Sequence, residues 1–302
     1  MENFIENTQR CIASYVWPYY KIYRYDGKIK NTRADARGAI SEHDRFFYNR
    51  IPKVANSTIV KTLAYCSATL RAIHPDVDGK NFFLRPASVG IRTALDIKEK
   101  YFKFTFVRNP FTRVLSAYLD KIVRAGGRRH YRRYAQWAAK KGASKTPSFA
   151  DFCSYLDDGG LYEDAHWAPQ FDCLLIPVSE FDFVGRFERL DTDLHTVLKR
   201  IFPVQVVSIQ SSGPSKTHAS DKLHQHYSDR EVEIVGRLYA DDFRTFGYKN
   251  DLEDLRISLV SEPFQAGIGH SQDRQPTVRL RAAPSARTAQ LTQGCLPVKK
   301  AT

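Results

Sequence analysis

The sequence predicts an α/β protein of three layers, in which helices flank a central and mainly parallel sheet. Two strand–loop–helix junctions, at residues 45–65 and 103–123, are the first two observations behind this prediction. The third is a strand at residues 181–185, followed by an amphipathic helix at 190–202. Strands that alternate with helices favour a parallel sheet. With 302 residues, 42% of them hydrophobic, the chain can bury a sizeable core in one large domain.

The first junction begins with aromatic and apolar residues at 46–51, which indicate a strand that ends at Pro52. Apolar residues at helical spacing predict a helix from Ile59, with Ser57 or Thr58 as its cap. The loop between them carries one lysine, Lys53. Loop N–H groups and a helix N-terminus attract anions, so the junction predicts a P-loop-like phosphate cradle. The glycine-rich loop G-x-x-x-x-G-K-[ST] is absent, which argues against an ordinary ATP or GTP site, and a structural junction with a surface lysine stays open.

The second junction is a strand at residues 103–108 that runs through a loop into an amphipathic helix at 111–123. Arg108 leaves the strand at its carboxyl end, and Ser116 lies on the following helix. A guanidinium fork beside a hydroxyl suits a terminal phosphate monoester. Further along, the sequence predicts a short strand at 81–84, a turn-rich approach at 95–101 and a closing helix at 227–246.

Four blocks of the sequence resemble a known family. Pro52–Thr58 resembles the 5′-phosphosulfate loop of PAPS-dependent sulfotransferases, and Phe106–Tyr118 resembles their 3′-phosphate motif. The block His166–Gln170 with Phe181–Glu188 is similar to the carbohydrate sulfotransferases of the HNK-1 and chondroitin type, called sulfotransferase family 2. Asp242–Tyr248 is like the closing motif of that family. The resemblance covers roughly residues 45–250.

The resemblance implies that PAPS is the sulfuryl donor and that a carbohydrate hydroxyl is the acceptor. Lys53 is then expected to contact the oxygen that bridges sulfur and the 5′-phosphate, and Arg108 and Ser116 to hold the 3′-phosphate. His166 is the candidate base, because histidine accepts protons near neutral pH, with Glu163 or Asp164 as orienting groups or as alternative bases. The predicted donor-binding residues are Pro52, Lys53, Val54, Ala55, Asn56, Ser57, Thr58, Arg108 and Ser116. The chain departs from the family at Asn109, usually Asp, and at Asn56 and Ser57, commonly Cys and Thr.

The formal charge of +13 indicates an anionic partner. Residues 124–150 contain no acid, and their arginines and lysines are interleaved with aromatic residues. This stretch predicts a surface for a carbohydrate acceptor of acidic character, although a merely solvated face is an equal alternative. A lipid headgroup at a membrane surface also stays open, and nucleic acid is not expected because no recognition fold accompanies the basic stretch. The predicted acceptor-binding residues are Arg124, Arg128, Arg129, His166 and Arg186.

The five cysteines are scattered without C-x-x-C spacing, and no His/Cys/carboxylate motif has metal-ligand spacing, so we predict no metal. The sequence shows no signal peptide and no membrane span, which favours a soluble bacterial enzyme of the cytoplasm. The predicted division is a lead-in segment packed on the domain at residues 1–44, a sulfotransferase domain at 45–254 and a disordered basic tail at 255–302. Nothing in the sequence indicates an oligomeric state. A P-loop-like kinase and a non-enzymatic module that binds polyanions or nucleic acid remain the alternative functions.

Overall fold

The computed structural model of the chain describes residues 16–73, 82–124, 129–143, 146–203, 208–211 and 217–251. Four strands form one sheet in the order β1-β2-β3-β4, in which β1 pairs antiparallel with β2 and the other pairs are parallel. Their bounds are β1 (Gly38–Ser41), β2 (Phe46–Asn49), β3 (Phe102–Val107) and β4 (Phe183–Arg186). The predicted α/β class with a mainly parallel sheet is confirmed, whereas the three-layer, P-loop-like description stays a prediction.

Helices precede, connect and follow the strands. Those before β3 are α1 (Pro18–Ile22), α2 (Asn31–Asp35), α3 (Asn56–Cys66), α4 (Ala68–Ile73) and α5 (Ile91–Glu99). Those between β3 and β4 are α6 (Pro110–Tyr118), which continues as a π-helix at Leu119–Val123, α7 (Arg129–Lys141) and α8 (Phe149–Asp157). After β4 come α9 (Leu190–Ile201), α10 (Leu223–His226), α11 (Asp229–Leu238) and α12 (Ala240–Phe246).

The two middle strands consist largely of buried aromatic residues. The rings of Tyr48 on β2 and Phe104 on β3 stack with their centroids 4.9 Å apart, and both side chains are fully buried. A parallel strand that is covered on both faces is expected to be apolar along its whole length. Gly185 on β4 fits this packing, because a Cβ there would lie 2.4 Å from the ring of Phe106. The core therefore fixes the sheet register.

This register places the carboxyl ends of β2, β3 and β4 at one edge of the sheet. Asn49 at the end of β2 pairs with Thr105, and Val107 at the end of β3 pairs with Arg186. Because β1 is antiparallel, its first residue, Gly38, also lies at this edge, opposite Asn49. Ligands of open α/β sheets bind outside such carboxyl ends. The polar loops after β2 and β3 are thus neighbours in space.

Several local predictions differ from the structure. Helix α5 occupies most of the segment that was expected to be turn-rich, and the closing helix is divided into α11 and α12 at Tyr239. Of the strand predicted at 81–84, the described residues form an isolated bridge between Leu84 and Ile40. The sequence did not predict strand β1 at residues 38–41 of the lead-in segment. Tyr19 and Tyr20 of the same segment belong to the core. The predicted tail at 255–302 lies outside the described residues.

Candidate active site

A cleft of about 1350 Å³ opens at the carboxyl edge of the sheet. It brings together most of the residues that the sequence singled out, although they come from three separate loops and two helices. Those lining the cleft are Pro52, Lys53, Ala55, Asn56, Ser57, Thr58, Arg108, Ser116 and His166. Val54 is fully buried beneath this surface and is not among the lining residues.

The segment Pro52–Thr58, here called the lysine loop, turns sharply between β2 and α3. Lys53 and Ala55 have φ angles of 71° and 59°, in the left-handed region that residues other than glycine rarely adopt. Such strain is retained where the surrounding structure enforces it, often at ligand sites. Helix α3 begins at Asn56 with Ala55 at the N-cap position, so the predicted capping by Ser57 or Thr58 is wrong: both lie in the first turn. The N-terminal end of α3 thus faces the cleft, where it attracts anions.

The ammonium group of Lys53 contacts a carboxylate on the π-helix that follows α6. Lys53 Nζ lies 3.1 Å from Asp120 Oδ2, and Lys121 Nζ lies 3.0 Å from the same oxygen. Burial lowers the pKa of Lys53 to about 8, and Asp120 partly opposes that shift. Burial also disfavours the charge on Asp120, but the two lysines outweigh it and lower the pKa of that carboxyl. The ammonium group of Lys53 is therefore protonated at neutral pH, but its pKa lies only slightly higher.

Arg108 is held more rigidly, at the end of β3. Its Nε donates to Thr112 Oγ1 at 2.9 Å, and its Nη1 donates to the carbonyl oxygen of Lys53 at 3.2 Å. Its guanidinium carbon lies 4.1 Å from the ring centroid of Phe187. Arg108 is 5% exposed, and burial lowers its pKa to about 10, so it stays charged at neutral pH. Ser116 lies on the following helix, α6, with its Oγ 3.1 Å from Thr217 Oγ1.

His166 forms part of a hydrogen-bonded chain of two imidazoles and one carboxylate. Its Nδ1 lies 2.5 Å from Asp164 Oδ1, and His130 Nδ1 on α7 lies 2.6 Å from Asp164 Oδ2. Burial lowers the pKa of His166 to about 4, so its ring is neutral at pH 7. Burial opposes ionisation of Asp164, but the hydrogen bonds from His130 and His166 outweigh it and hold the pKa of that carboxyl well below its usual range. With Nδ1 bound to Asp164, Nε2 of His166 is the ring nitrogen suited to accept a proton.

The same three side chains are close enough to hold a metal ion, because one ligand atom from each lies within 4.8 Å of the others. Each carboxylate oxygen of Asp164 lies within hydrogen-bond distance of a different imidazole. The prediction that the site uses no metal stays a prediction.

A family model described as "Sulfotransferase family" matches residues 37–249, which is more than half of the chain. The chain belongs to the sulfotransferase family. It is 30% identical over 228 residues to carbohydrate sulfotransferase 14 of Danio rerio, covering 69% of this chain and 61% of that relative. The Mus musculus protein of the same name is 30% identical over 233 residues, covering 69% and 59%. Carbohydrate sulfotransferase 10 of Xenopus laevis is 24% identical over 242 residues, covering 70% and 66%.

The chain thus spans about three fifths of the length of the first of these relatives. No solved structure matches it. The relatives are vertebrate proteins, so the predicted bacterial origin and cytoplasmic location gain no support from them. Among the helices in the described ranges, none combines the length and the apolar character that crossing a bilayer requires.

Sequence reasoning assigned no role to Arg113, the arginine that joins the lysine loop to the loop of His166. Arg113 is fully buried on α6, and its Nε donates to the carbonyl oxygen of Pro52 at 3.0 Å. Its Nη1 and Nη2 donate to the carbonyl oxygens of Ala168 at 2.7 Å and Ala165 at 3.0 Å. One planar guanidinium therefore fixes both sides of the cleft relative to each other. An arginine inside an otherwise apolar helix pattern was the signal that could have found it.

The predicted acceptor residues, His166 apart, are less concentrated at the cleft. Arg186 donates from Nη2 to the carbonyl oxygen of Phe246 at 2.8 Å and lies 4.5 Å from the ring centroid of Tyr248, so it holds the closing motif and does not line the cleft. Arg124 is exposed beyond the π-helix and is not a lining residue either. Arg129 begins α7, and Arg128 lies outside the described residues.

Proposed function

We propose that this sulfotransferase transfers the sulfuryl group of PAPS to a hydroxyl of a carbohydrate and releases adenosine 3′,5′-diphosphate. The observation that carries the proposal is the contact between the two predicted anion sites: Arg108 donates directly to the backbone of Lys53, inside one cleft. One ligand with an anionic group at each end fits this arrangement. The names of the relatives support a carbohydrate as the acceptor.

The lysine loop is proposed as a P-loop-like cradle for the 5′-phosphosulfate. The N–H groups at Ala55–Thr58 and the N-terminal end of α3 hold the 5′-phosphate, with Pro52 and Val54 shaping the turn. Arg108 and Ser116 hold the 3′-phosphate and thereby distinguish PAPS from nucleotides that lack this group. The cleft volume of about 1350 Å³ accommodates a nucleotide together with part of an acceptor.

In the proposed reaction, a bond forms between sulfur and the acceptor oxygen while the bond between sulfur and the bridging oxygen breaks. His166 Nε2 takes the proton of the acceptor hydroxyl, and Asp164 stabilises the imidazolium that results. Lys53 turns from Asp120 toward the bridging oxygen and neutralises the negative charge that develops there. Arg113 keeps the lysine loop and His166 in register during this step.

The acceptor is proposed to approach past the basic helix α7, whose first turn includes Arg129 and His130. Arg124 and Arg128 belong to the same predicted acceptor surface. Because His130 contacts Asp164 from α7, this surface and the proposed base share one hydrogen-bonded network. The acceptor is therefore proposed to touch the protein directly near His166, whereas the outer arginines attract it electrostatically over a longer range.

The function is tested by comparing ligands in a thermal-shift series. Adenosine 3′,5′-diphosphate should raise the unfolding temperature at concentrations where ATP with magnesium does not, since stabilisation follows RT ln(1 + [L]/Kd). Preference for ATP with magnesium would instead support the kinase alternative. Stabilisation by heparin alone, lost at high salt, would indicate a non-enzymatic polyanion-binding module. Transfer of labelled sulfate from PAPS to a panel of glycans then identifies the acceptor.

A further inference from the structure

Three arginines from distant parts of the sequence meet on the β1 side of the cleft. Arg37 precedes β1 and Arg50 follows β2, and the backbone N–H of Arg50 donates to the carbonyl oxygen of Arg37 at 2.7 Å. Arg85 follows Leu84, which is bonded to Ile40 on β1 through two hydrogen bonds of 3.0 Å. Arg37, Arg50 and Arg85, here called the arginine cluster, all line the cleft that contains Lys53 and His166.

The arginines of the cluster are positively charged at neutral pH, and side-chain hydrogen bonds of two of them reach carbonyl oxygens. Arg50 Nη2 donates to Ala36 and Arg37 Nε donates to Arg33 at 3.3 Å. Burial lowers the pKa of Arg50 to about 10, and repulsion from Arg37 and Arg85 contributes to the shift. One carboxylate, Asp35, interacts electrostatically with Arg85, and its Oδ1 also accepts hydrogen bonds from the Tyr20 hydroxyl and the Ala87 N–H. Like charges gathered in a cleft wall raise the local concentration of anions.

The position of the cluster separates it from the proposed donor site. The strand order places β2, which leads to Lys53, between β1 and β3, which leads to Arg108. A donor that extends from Lys53 to Arg108 and Ser116 therefore occupies the β3 side of the cleft. The cluster lies on the other side of Lys53, and Arg37 is close enough to interact electrostatically with Asp164 of the His166 network.

We propose that Arg37, Arg50 and Arg85 form an anion subsite that binds the carboxylate or sulfate group of an acidic carbohydrate, beside the hydroxyl that receives the sulfuryl group. The subsite rests on the proposed function, since it assigns the acceptor side of that reaction. Guanidinium groups suit this role because they bind carboxylates and sulfates through two parallel hydrogen bonds. The cluster thus selects the sugar residue by its charge, while His166 acts on its hydroxyl.

The test uses a fluorescently labelled chondroitin sulfate hexasaccharide and measures its Kd by anisotropy, at fixed salt, with the donor site saturated by adenosine 3′,5′-diphosphate. The double variant Arg37→Gln/Arg85→Gln should weaken binding by roughly tenfold or more, because two charge-assisted contacts are lost. Arg92→Gln, an exposed arginine on α5 outside the cleft lining, is the matched control and should change Kd by less than about twofold. Arg50→Lys, which keeps the charge at the buried position, serves as a second variant.

Carboxyl-reduced and desulfated hexasaccharides identify the bound group, because the double variant should bind one of them as the wild type does. Failure of the wild-type protein to bind the hexasaccharide would overturn the subsite, as would equal affinity of the wild type and the double variant. Weaker binding of adenosine 3′,5′-diphosphate by the double variant would assign the cluster to the donor. If the wild type itself does not bind adenosine 3′,5′-diphosphate, the proposed function fails, which is a separate result.

Discussion

The two strand–loop–helix junctions hold their cations in opposite ways. Lys53 lies on a loop with left-handed residues, and its ammonium group contacts one carboxylate, Asp120, which it shares with Lys121. Arg108 leaves a central strand, is 5% exposed, and is fixed by Thr112, by the backbone of Lys53 and by the ring of Phe187. The ammonium group of Lys53 is thus held by one carboxylate, whereas the guanidinium group of Arg108 is fixed by three contacts.

This difference predicts that the two cations act at different stages of the proposed reaction. A cation that moves from Asp120 to a leaving oxygen acts mainly in the transition state, and such interactions raise kcat. A fixed guanidinium binds the ground state and the transition state alike and therefore governs affinity and selectivity for the donor. Variants of Lys53 and Arg108 test this contrast, because one should lower kcat and the other should weaken donor binding.

The largest effect is expected for Lys53→Ala. Loss of a single transition-state donor lowers kcat by roughly 10²–10³, while the Kd for adenosine 3′,5′-diphosphate should stay within about threefold of the wild type. Single-turnover transfer of labelled sulfate and calorimetric titration measure the two quantities. Lys121→Ala is the matched control: Lys121 contacts the same carboxylate without belonging to the lysine loop, so its loss should lower kcat far less than the loss of Lys53. An active Lys53→Ala enzyme would remove the proposed role of this residue.

Arg108→Ala should produce the converse pattern. The Kd for adenosine 3′,5′-diphosphate should rise roughly 10- to 100-fold, because the binding free energy of a charge-assisted hydrogen bond is lost. The Kd for adenosine 5′-phosphate, which has no 3′-phosphate, should change by less than about threefold. Calorimetry with both nucleotides separates recognition of the 3′-phosphate from general loss of the fold. Equal weakening for both nucleotides would contradict the assignment.

The sequence could predict these two junctions because each is a local structure. A strand, a polar loop and an amphipathic helix follow one another within about 20 residues, so their periodicities reveal them. Lys53, Arg108 and Ser116 were found in this way, and the parallel sheet that makes them neighbours follows from the alternation of strands and helices.

The contacts that complete the site could not be predicted, because they join residues far apart in the chain. Arg113 connects the carbonyl oxygens of Pro52, Ala165 and Ala168, and nothing near Arg113 in the sequence indicates those partners. Strand β1 was missed since its four residues, Gly-Ala-Ile-Ser, have weak strand propensity, and pairing with β2 decides their conformation. The arginine cluster and the pairing of Lys53 with Asp120 likewise depend on tertiary structure.

The smallest effect concerns pH and tests how Asp120 sets the behaviour of Lys53. Lys53 is protonated below its pKa of about 8, so kcat/KM of the wild type should fall as the pH rises through 8. His166 is neutral above its pKa of about 4, so the rate should also fall as the pH drops through 4. His166→Gln, which cannot titrate, should remove this acid limb from the remaining activity.

Asp120 favours the charged form of Lys53, so Asp120→Asn should lower the pKa of Lys53 and move the alkaline limb to lower pH by roughly one unit. The acid limb should stay in place, because burial is the main cause of the lowered pKa of His166, and Asp120 is not among the charged groups that contribute to it, which are Asp164, Lys121 and His130. Profiles of kcat/KM from pH 3 to 10 measure both limbs in the same assay. An alkaline limb that does not move in Asp120→Asn would show that Lys53 is not the group that titrates there. A shift confined to the alkaline limb would show that the protonation of Lys53, unlike that of Arg108, depends on Asp120, the partner that Lys53 leaves in the proposed reaction.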